Sequence, residues 1–267
     1  MRARPKEKTY PIQLLGWMLV LFWVVLILFS IVKTKIVHYS SLCYFPLSFL
    51  AAHTYYKVII KSWRLPGWSR WLEFFTGLLL AVALCAVTFI DRLKPWLLKP
   101  GRIEDEFAKS NLQANVSWSG FEIIPGLLLA AGVVYFRLTI RRNNKLALIV
   151  LFGTALISTN LATVMIAPKV EPYSQGAAIE FYLSKQHEQA VVEPLGFKSY
   201  AQLYYGQRPP RLGGIKEEDI FTRRVPAGTT AYGVVKIQHA KTYERRFPQL
   251  QKLYEKNGFV FYRVGRP

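Results

Sequence analysis

The chain has 267 residues, with 35 Lys plus Arg against 16 Asp plus Glu, a net charge of +19. Such a charge is common in nucleic-acid binders. Here 52% of residues are hydrophobic, 15% aromatic and only 19% charged, which excludes a disordered basic protein and points to a membrane protein whose cations sit at the headgroups. Two cysteines exclude a disulfide scaffold and a four-thiol zinc site.

Five apolar stretches predict membrane spans over residues 12–32, 41–60, 71–90, 121–138 and 146–167, each near the roughly 20 residues a spanning helix needs. The first is free of charge and too long for a signal-peptide core. The second carries Pro46, His53 and Lys57; proline is tolerated in membrane helices where neighbours satisfy the freed carbonyl.

After Pro168 the character changes, and residues 168–267 read as a small α/β or α+β domain in water. Residues 173–186 and 242–256 have helical spacing; 190–192, 201–205, 232–237 and 259–264 read as strands. Asn257-Gly258 marks a turn before the last of them. The fold class is therefore an α-helical polytopic membrane domain of about five helices over 1–167, followed by a small mixed domain outside the cytoplasm.

Loop charges orient it. Arg2, Arg4, Lys6 and Lys8 precede the first span. Lys61, Arg64 and Arg70 follow the second, and Arg141, Arg142 and Lys145 follow the fourth. These alternate segments share one side, so the positive-inside rule places the N-terminus in the cytoplasm. Five spans then place the last domain in the periplasm of a bacterial inner membrane. No nucleic acid is expected as a partner.

The loop between spans one and two breaks the rule. It reads FSIVKTKIVHYSSLCYFPLSFLAA over residues 29–52 and sets Lys33, Lys35 and Tyr39 at the outer surface. Their lysines either snorkel to lipid phosphates or hold an anionic headgroup, with the tyrosine adding a hydrogen bond. The segment resembles a stretch of the aminoarabinose–lipid A transferases and the protein O-mannosyltransferase superfamily, membrane glycosyltransferases of the GT-C class (family 39 type). Ser30, Lys33, Lys35, Tyr39, Pro46 and Leu47 match its pattern; Ile36 stands for a leucine, and Thr34, Val37 and His38 depart from glycine, proline and threonine. GAAIEFYLS and KSYAQLYYG resemble the outer domain of such proteins.

The resemblance covers the C-terminal half of those enzymes. It implies a polyprenyl-phosphate sugar donor, membrane lipids as surroundings, and Lys33, Lys35 and Tyr39 as ligands of the lipid phosphate. The family's catalytic acid lies in the first outer loop of the full-length protein. The chain is thus expected either to act with an N-terminal half encoded separately or to be a fragment of a longer gene product, and it contributes no catalytic residue of its own. No cofactor is expected in it; a divalent metal is left open for the complete enzyme.

Other candidates read as structural. Glu104, Asp105 and Glu106 form a solvated face, Asp91 and Arg92 an interfacial ion pair, and Glu73 sits at the inner end of the third span. Glu122 flanks the fourth. Cys43 and Cys85 lack CxxC spacing. His38, His53, His187 and His239 make no metal motif. Trp63, Trp68 and Trp71 suit an interfacial belt, while Trp96 and Trp118 suit either a belt or a sugar platform. A non-catalytic membrane protein whose outer domain, with 16 Lys plus Arg and 9 Asp plus Glu, binds anionic envelope polymers or a partner protein is the alternative. A transporter fits poorly, because mid-depth acids and broken helices are lacking.

Overall fold

The computed structural model describes residues 10–32, 41–60, 63–207, 212, 214–215, 217–222 and 225–265. Among them, four helices are long and apolar enough to cross a membrane: Gln13–Ile31, Gly67–Thr88, Phe121–Thr139 and Asn144–Met165. They lie within α1 (Tyr10–Ile31), α3 (Gly67–Thr88), α6 (Ile124–Thr139, preceded by a 3-10 turn Phe121–Ile123) and α7 (Asn144–Met165). The expected second span is a 3-10 turn, Ser41–Cys43, followed by α2 (Tyr44–Ile60), 17 residues long. Pro46 lies in the first turn of α2, where its missing N–H has no helical acceptor to lose.

The chain divides into two compact units, Met1–Gly77 with Gly132–Gly153, and Leu78–Ala131 with Thr154–Pro267. In the first, Val58 of α2, Leu65, Phe136 and Ile140 at the end of α6, and Ala147 and Leu148 of α7 form a buried core, with Tyr55 and Leu151 against it. Asn144 donates to the Val58 carbonyl at 3.4 Å. Gly77 meets Val133 so closely that a Cβ would stand 2.5 Å from its Cγ2. The Cys43 thiol lies 3.9 Å from the Phe22 carbonyl, tying the 3-10 turn before α2 to α1.

In the second unit, short helices α4 (Ile90–Leu97), α5 (Glu106–Leu112) and α8 (Ala167–Val170) lead to a four-stranded sheet. Its strands are β1 (Ala190–Leu195), β2 (Thr230–Lys236), β3 (Leu250–Lys256) and β4 (Phe259–Val264), in the order β1-β2-β4-β3. β1 and β2 are parallel; β4 is antiparallel to both β2 and β3. Alternation along each strand serves two cores. Val191, Leu195, Ala231, Val235, Val260 and Tyr262 face α11 (Glu217–Phe221) and α12 (Ile237–Arg246). Val192, Tyr232, Val234, Phe259 and Phe261 face α9 (Gly176–Ser184) and α10 (Ala201–Tyr205). Helices on both faces explain why β1 is buried nearly throughout. Phe107 of α5 packs edge-on against Phe259 at 5.0 Å, which fixes the 91–120 segment to the sheet.

Two expected elements are corrected. Residues 201–205 are helical, not a strand: Ala201, Gln202 and Tyr205 recur at helical spacing, and Ala201 and Tyr205 pack on the α9 side of the sheet. Residues 242–256 are not one helix. α12 ends before Pro248, whose ring disfavours helix in the residue preceding it, and β3 follows. Asn257 and Gly258, with φ of 45° and 80°, make the expected turn before the last strand, but it joins two strands, β3 and β4, rather than a helix and a strand.

Candidate functional site

The polar groups of the second unit gather where α4, the 114–122 segment and α8 meet. Helix α3 breaks at Phe89 and α4 restarts with Asp91 in its first turn. One turn on, Lys94 reaches Asp91 at 2.5 Å and donates to the Ala114 carbonyl at 2.7 Å. Its ammonium stands 4.9 Å from the centre of the Tyr173 ring. The Tyr173 hydroxyl donates to Asp91 Oδ1 at 2.8 Å and accepts from Trp118 Nε1 at 3.1 Å. Burial raises the Asp91 carboxyl, but Lys94 and the Tyr173 hydroxyl outweigh it and hold Asp91 below the usual carboxylate range. Tyr173 is pushed up, first by burial and then by Asp91.

Glu122 completes the arrangement. Gly120, with φ of 90°, turns the chain into the 3-10 turn before α6. The Glu122 carboxylate folds back to accept from the Gly120 N–H at 2.9 Å and from the Ser119 hydroxyl at 2.8 Å. Helix starts leave such N–H groups without partners. Glu122 is 2% exposed and pairs with Lys169. Lys169 also donates to the Ser117 carbonyl at 2.8 Å and lies 5.7 Å from the centre of the Trp118 ring. Each carboxylate thus has its own lysine, and Trp118 with Tyr173 links the two pairs. The cluster fixes three segments as a rigid rim with both carboxylates neutralised.

The expected Asp91–Arg92 pair is replaced by Asp91–Lys94. Adjacent helical residues point in different directions, whereas residues three apart meet; Arg92 instead lies 5.4 Å from the centre of the Phe89 ring. Trp118 is consumed by this network, and Arg102 covers one face of Trp96 at 3.7 Å. Asp105 caps α5, accepting from the Phe107 N–H at 2.9 Å, and Glu104 and Glu106 are exposed beside it. Glu73 accepts from the Tyr55 hydroxyl at 3.0 Å. Among the described residues, no cluster of three His, Cys, Asp or Glu side chains is placed to hold a metal ion. Lys94, Lys169 and Tyr173 are functional-looking residues that sequence reading missed. The i,i+3 spacing of Asp91 and Lys94 was the one signal available for them.

Lys33, Lys35 and Tyr39 lie outside the described residues. Their flanks are described: the Ser30 hydroxyl donates to the Leu26 carbonyl within α1 at 2.6 Å, Pro46 is buried, and Leu47 is exposed.

Helices that cross a membrane, followed by a small mixed sheet with helices on both faces, define a polytopic membrane protein with an appended α/β domain. No protein-family model matches the chain, and no curated protein matches it either. Two crystal structures are similar to it. One is ArnT from Cupriavidus metallidurans in the apo state, with a TM-score of 0.54 at 13% identity. The other is the same protein bound to undecaprenyl phosphate, with a TM-score of 0.48 at 13% identity. Each match covers 92% of this chain and 46% of that chain, so the chain spans about half the length of ArnT. The apo likeness shows the fold alone: the chain folds like about half of ArnT.

Proposed function

We propose that the chain is the C-terminal portion of a membrane glycosyltransferase that moves a sugar from a polyprenyl-phosphate donor to an envelope lipid, glycan or protein acceptor. The observation that carries this reading is the GT-C-like fold over 92% of the chain, joined to the lysine-bearing loop at 33–39. An acceptor hydroxyl attacks the anomeric carbon, the sugar–oxygen bond breaks, and polyprenyl phosphate leaves with the electron pair. Lys33 and Lys35 stabilise the charge gathering on that phosphate, and Tyr39 donates a hydrogen bond to it. The carboxylate that takes the acceptor proton comes from an N-terminal portion. The rim of Asp91, Lys94, Glu122 and Lys169 holds the ends of its helices rigid, as a site near a membrane surface requires. In this reading the outer domain and the 33–39 loop face the periplasm.

The test is binding of undecaprenyl phosphate to the purified full chain in detergent, followed by native mass spectrometry. Lys33→Ala with Lys35→Ala is expected to weaken binding about tenfold or more, and Tyr39→Phe roughly fivefold, the worth of one hydrogen bond. Unchanged affinity in the double variant would discard the site.

A second reading has one observation in its favour. Tyr200 and Tyr204, one turn apart at the start of α10, are 81% and 78% exposed, and Lys198 precedes them. That patch suits a module for anionic envelope polymers. Sugar transfer on co-expression with an N-terminal half would exclude a purely binding role.

A further inference from the structure

The unit formed by Met1–Gly77 and Gly132–Gly153 carries a charge cluster that the transfer chemistry does not use. The Arg137 guanidinium, near the end of α6, lies 4.3 Å from the centre of the Trp71 ring in the second turn of α3. Arg70 is the neighbour of Trp71, and Arg141 follows α6. Arg137 and Arg141 are both close enough to Arg70 to repel its charge. Like charges at short range cost free energy, and arginine cannot shed its proton to escape the cost.

The Trp71 ring answers part of the Arg137 charge, but among the described residues no carboxylate pairs with Arg70, Arg137 or Arg141. The Nε–H groups of Arg70 and Arg137 are shielded from solvent and have no acceptor. Glu73, one turn after Arg70, is bonded to Tyr55; the only other carboxylate in this unit's sequence is Glu7, outside the described residues. Single snorkelling cations need no grouping, whereas here three guanidiniums are gathered. The surface around them is apolar and outward-facing: Trp68, Leu72, Phe75 and Leu138 are all exposed.

We propose that Arg70, Arg137 and Arg141 bind the phosphodiester of an anionic phospholipid, whose acyl chains lie along Leu72, Phe75 and Leu138. The guanidinium fork matches phosphate oxygens two at a time, and the Trp71 ring holds Arg137 in place by cation–π attraction. The apolar rim selects a lipid over a soluble phosphate, and basic sites between membrane helices suit such headgroups. The site does not depend on the proposed transferase activity.

The experiment titrates the purified full chain in neutral detergent with dioleoyl phosphatidylglycerol or dioleoyl phosphatidylcholine and counts retained lipid by native mass spectrometry. Phosphatidylglycerol is expected to be retained about tenfold better than phosphatidylcholine, which offers the same phosphodiester but carries a choline ammonium that the three guanidiniums repel. Arg70→Gln with Arg137→Gln should abolish that preference, while Arg102→Gln, in the other unit, leaves it intact. Should the double variant fail to fold, Arg141→Gln, at an exposed side chain, is expected to reduce the preference about threefold to fivefold. Equal retention of the two lipids, or equal loss with Arg102→Gln, overturns the proposal. Displacement of the lipid by millimolar inorganic phosphate makes this a site for a free anion and overturns the lipid assignment.

Discussion

Glu122 places a carboxylate at the start of a membrane-spanning helix with 2% exposure. An unpaired charge there is costly, so its worth lies in what it satisfies: two backbone N–H groups, the Ser119 hydroxyl and the Lys169 ammonium. Glu122→Ala strands all of them and is expected to lose about 3 kcal/mol, read as a lower thermal midpoint in detergent. Glu122→Gln keeps the Ser119 bond and should fall between; a midpoint unchanged in Glu122→Ala would mean the rim holds nothing. Asp91 adds a pH signature. Its folded carboxyl is held below the usual range although burial pushes the other way. The stability it contributes is therefore complete above the ordinary carboxyl pKa and is lost as pH falls through the lowered folded value. Asp91→Asn is expected to melt earlier at neutral pH, with the two melting curves converging in acid. Parallel curves across the whole range would show that Asp91 is not ion-paired.

At the scale of elements, the close approach of α3 and α6 within the second unit rests on Gly126. A Cβ there would stand 2.4 Å from Cys85 Sγ and 2.8 Å from the Ala81 carbonyl, and backbone cannot yield as a side chain does. Small residues at such crossings let membrane helices pack. Gly126→Val is expected to cost about 1–3 kcal/mol by overpacking, whereas Gly153→Ala, with nothing within 4 Å of its Cβ, should be neutral or stabilising in the same melting assay. Neither effect is visible from sequence, where both glycines read alike. The long apolar helices were legible because a run of 20 apolar residues has few other solutions. β3 was not. Its sequence, LQKLYEK, shows no clean apolar alternation, because it is a largely exposed edge strand with a register shift between Lys252 and Tyr254, and only pairing with β4 makes it extended. The Asn-Gly turn beside it was legible because φ above zero at both positions narrows the choice of residues. The rim was half legible: Asp91 and Glu122 stood out as charges at membrane helix ends, but their lysine partners come from packing, and Lys169 lies 47 residues from Glu122.

At the scale of the whole molecule, the proposed function needs the 33–39 loop and the mixed domain on one side of the membrane. That depends on whether α2 crosses. Its 17 residues span roughly 25 Å at about 1.5 Å per residue, short of a hydrocarbon core of about 30 Å. The 3-10 turn of three residues before it adds about 6 Å at about 2 Å per residue. The sum reaches across, and Lys57 near the far end extends to the interface. If α2 crosses, Lys35 and Tyr204 share the outer face, with the N-terminus and Arg142 opposite. If it lies on the surface instead, the N-terminus joins Tyr204, and Lys35 faces the other way. Single cysteines at Thr9→Cys, Lys35→Cys, Arg142→Cys and Tyr204→Cys, in a Cys43→Ser, Cys85→Ser background, separate the two arrangements. An impermeant maleimide applied to spheroplasts is expected to label Lys35→Cys and Tyr204→Cys, and to reach Thr9→Cys and Arg142→Cys only after permeabilisation. Labelling that pairs Thr9→Cys with Tyr204→Cys would put the lysines across the membrane from the mixed domain and leave the lipid-phosphate assignment without its outer partner.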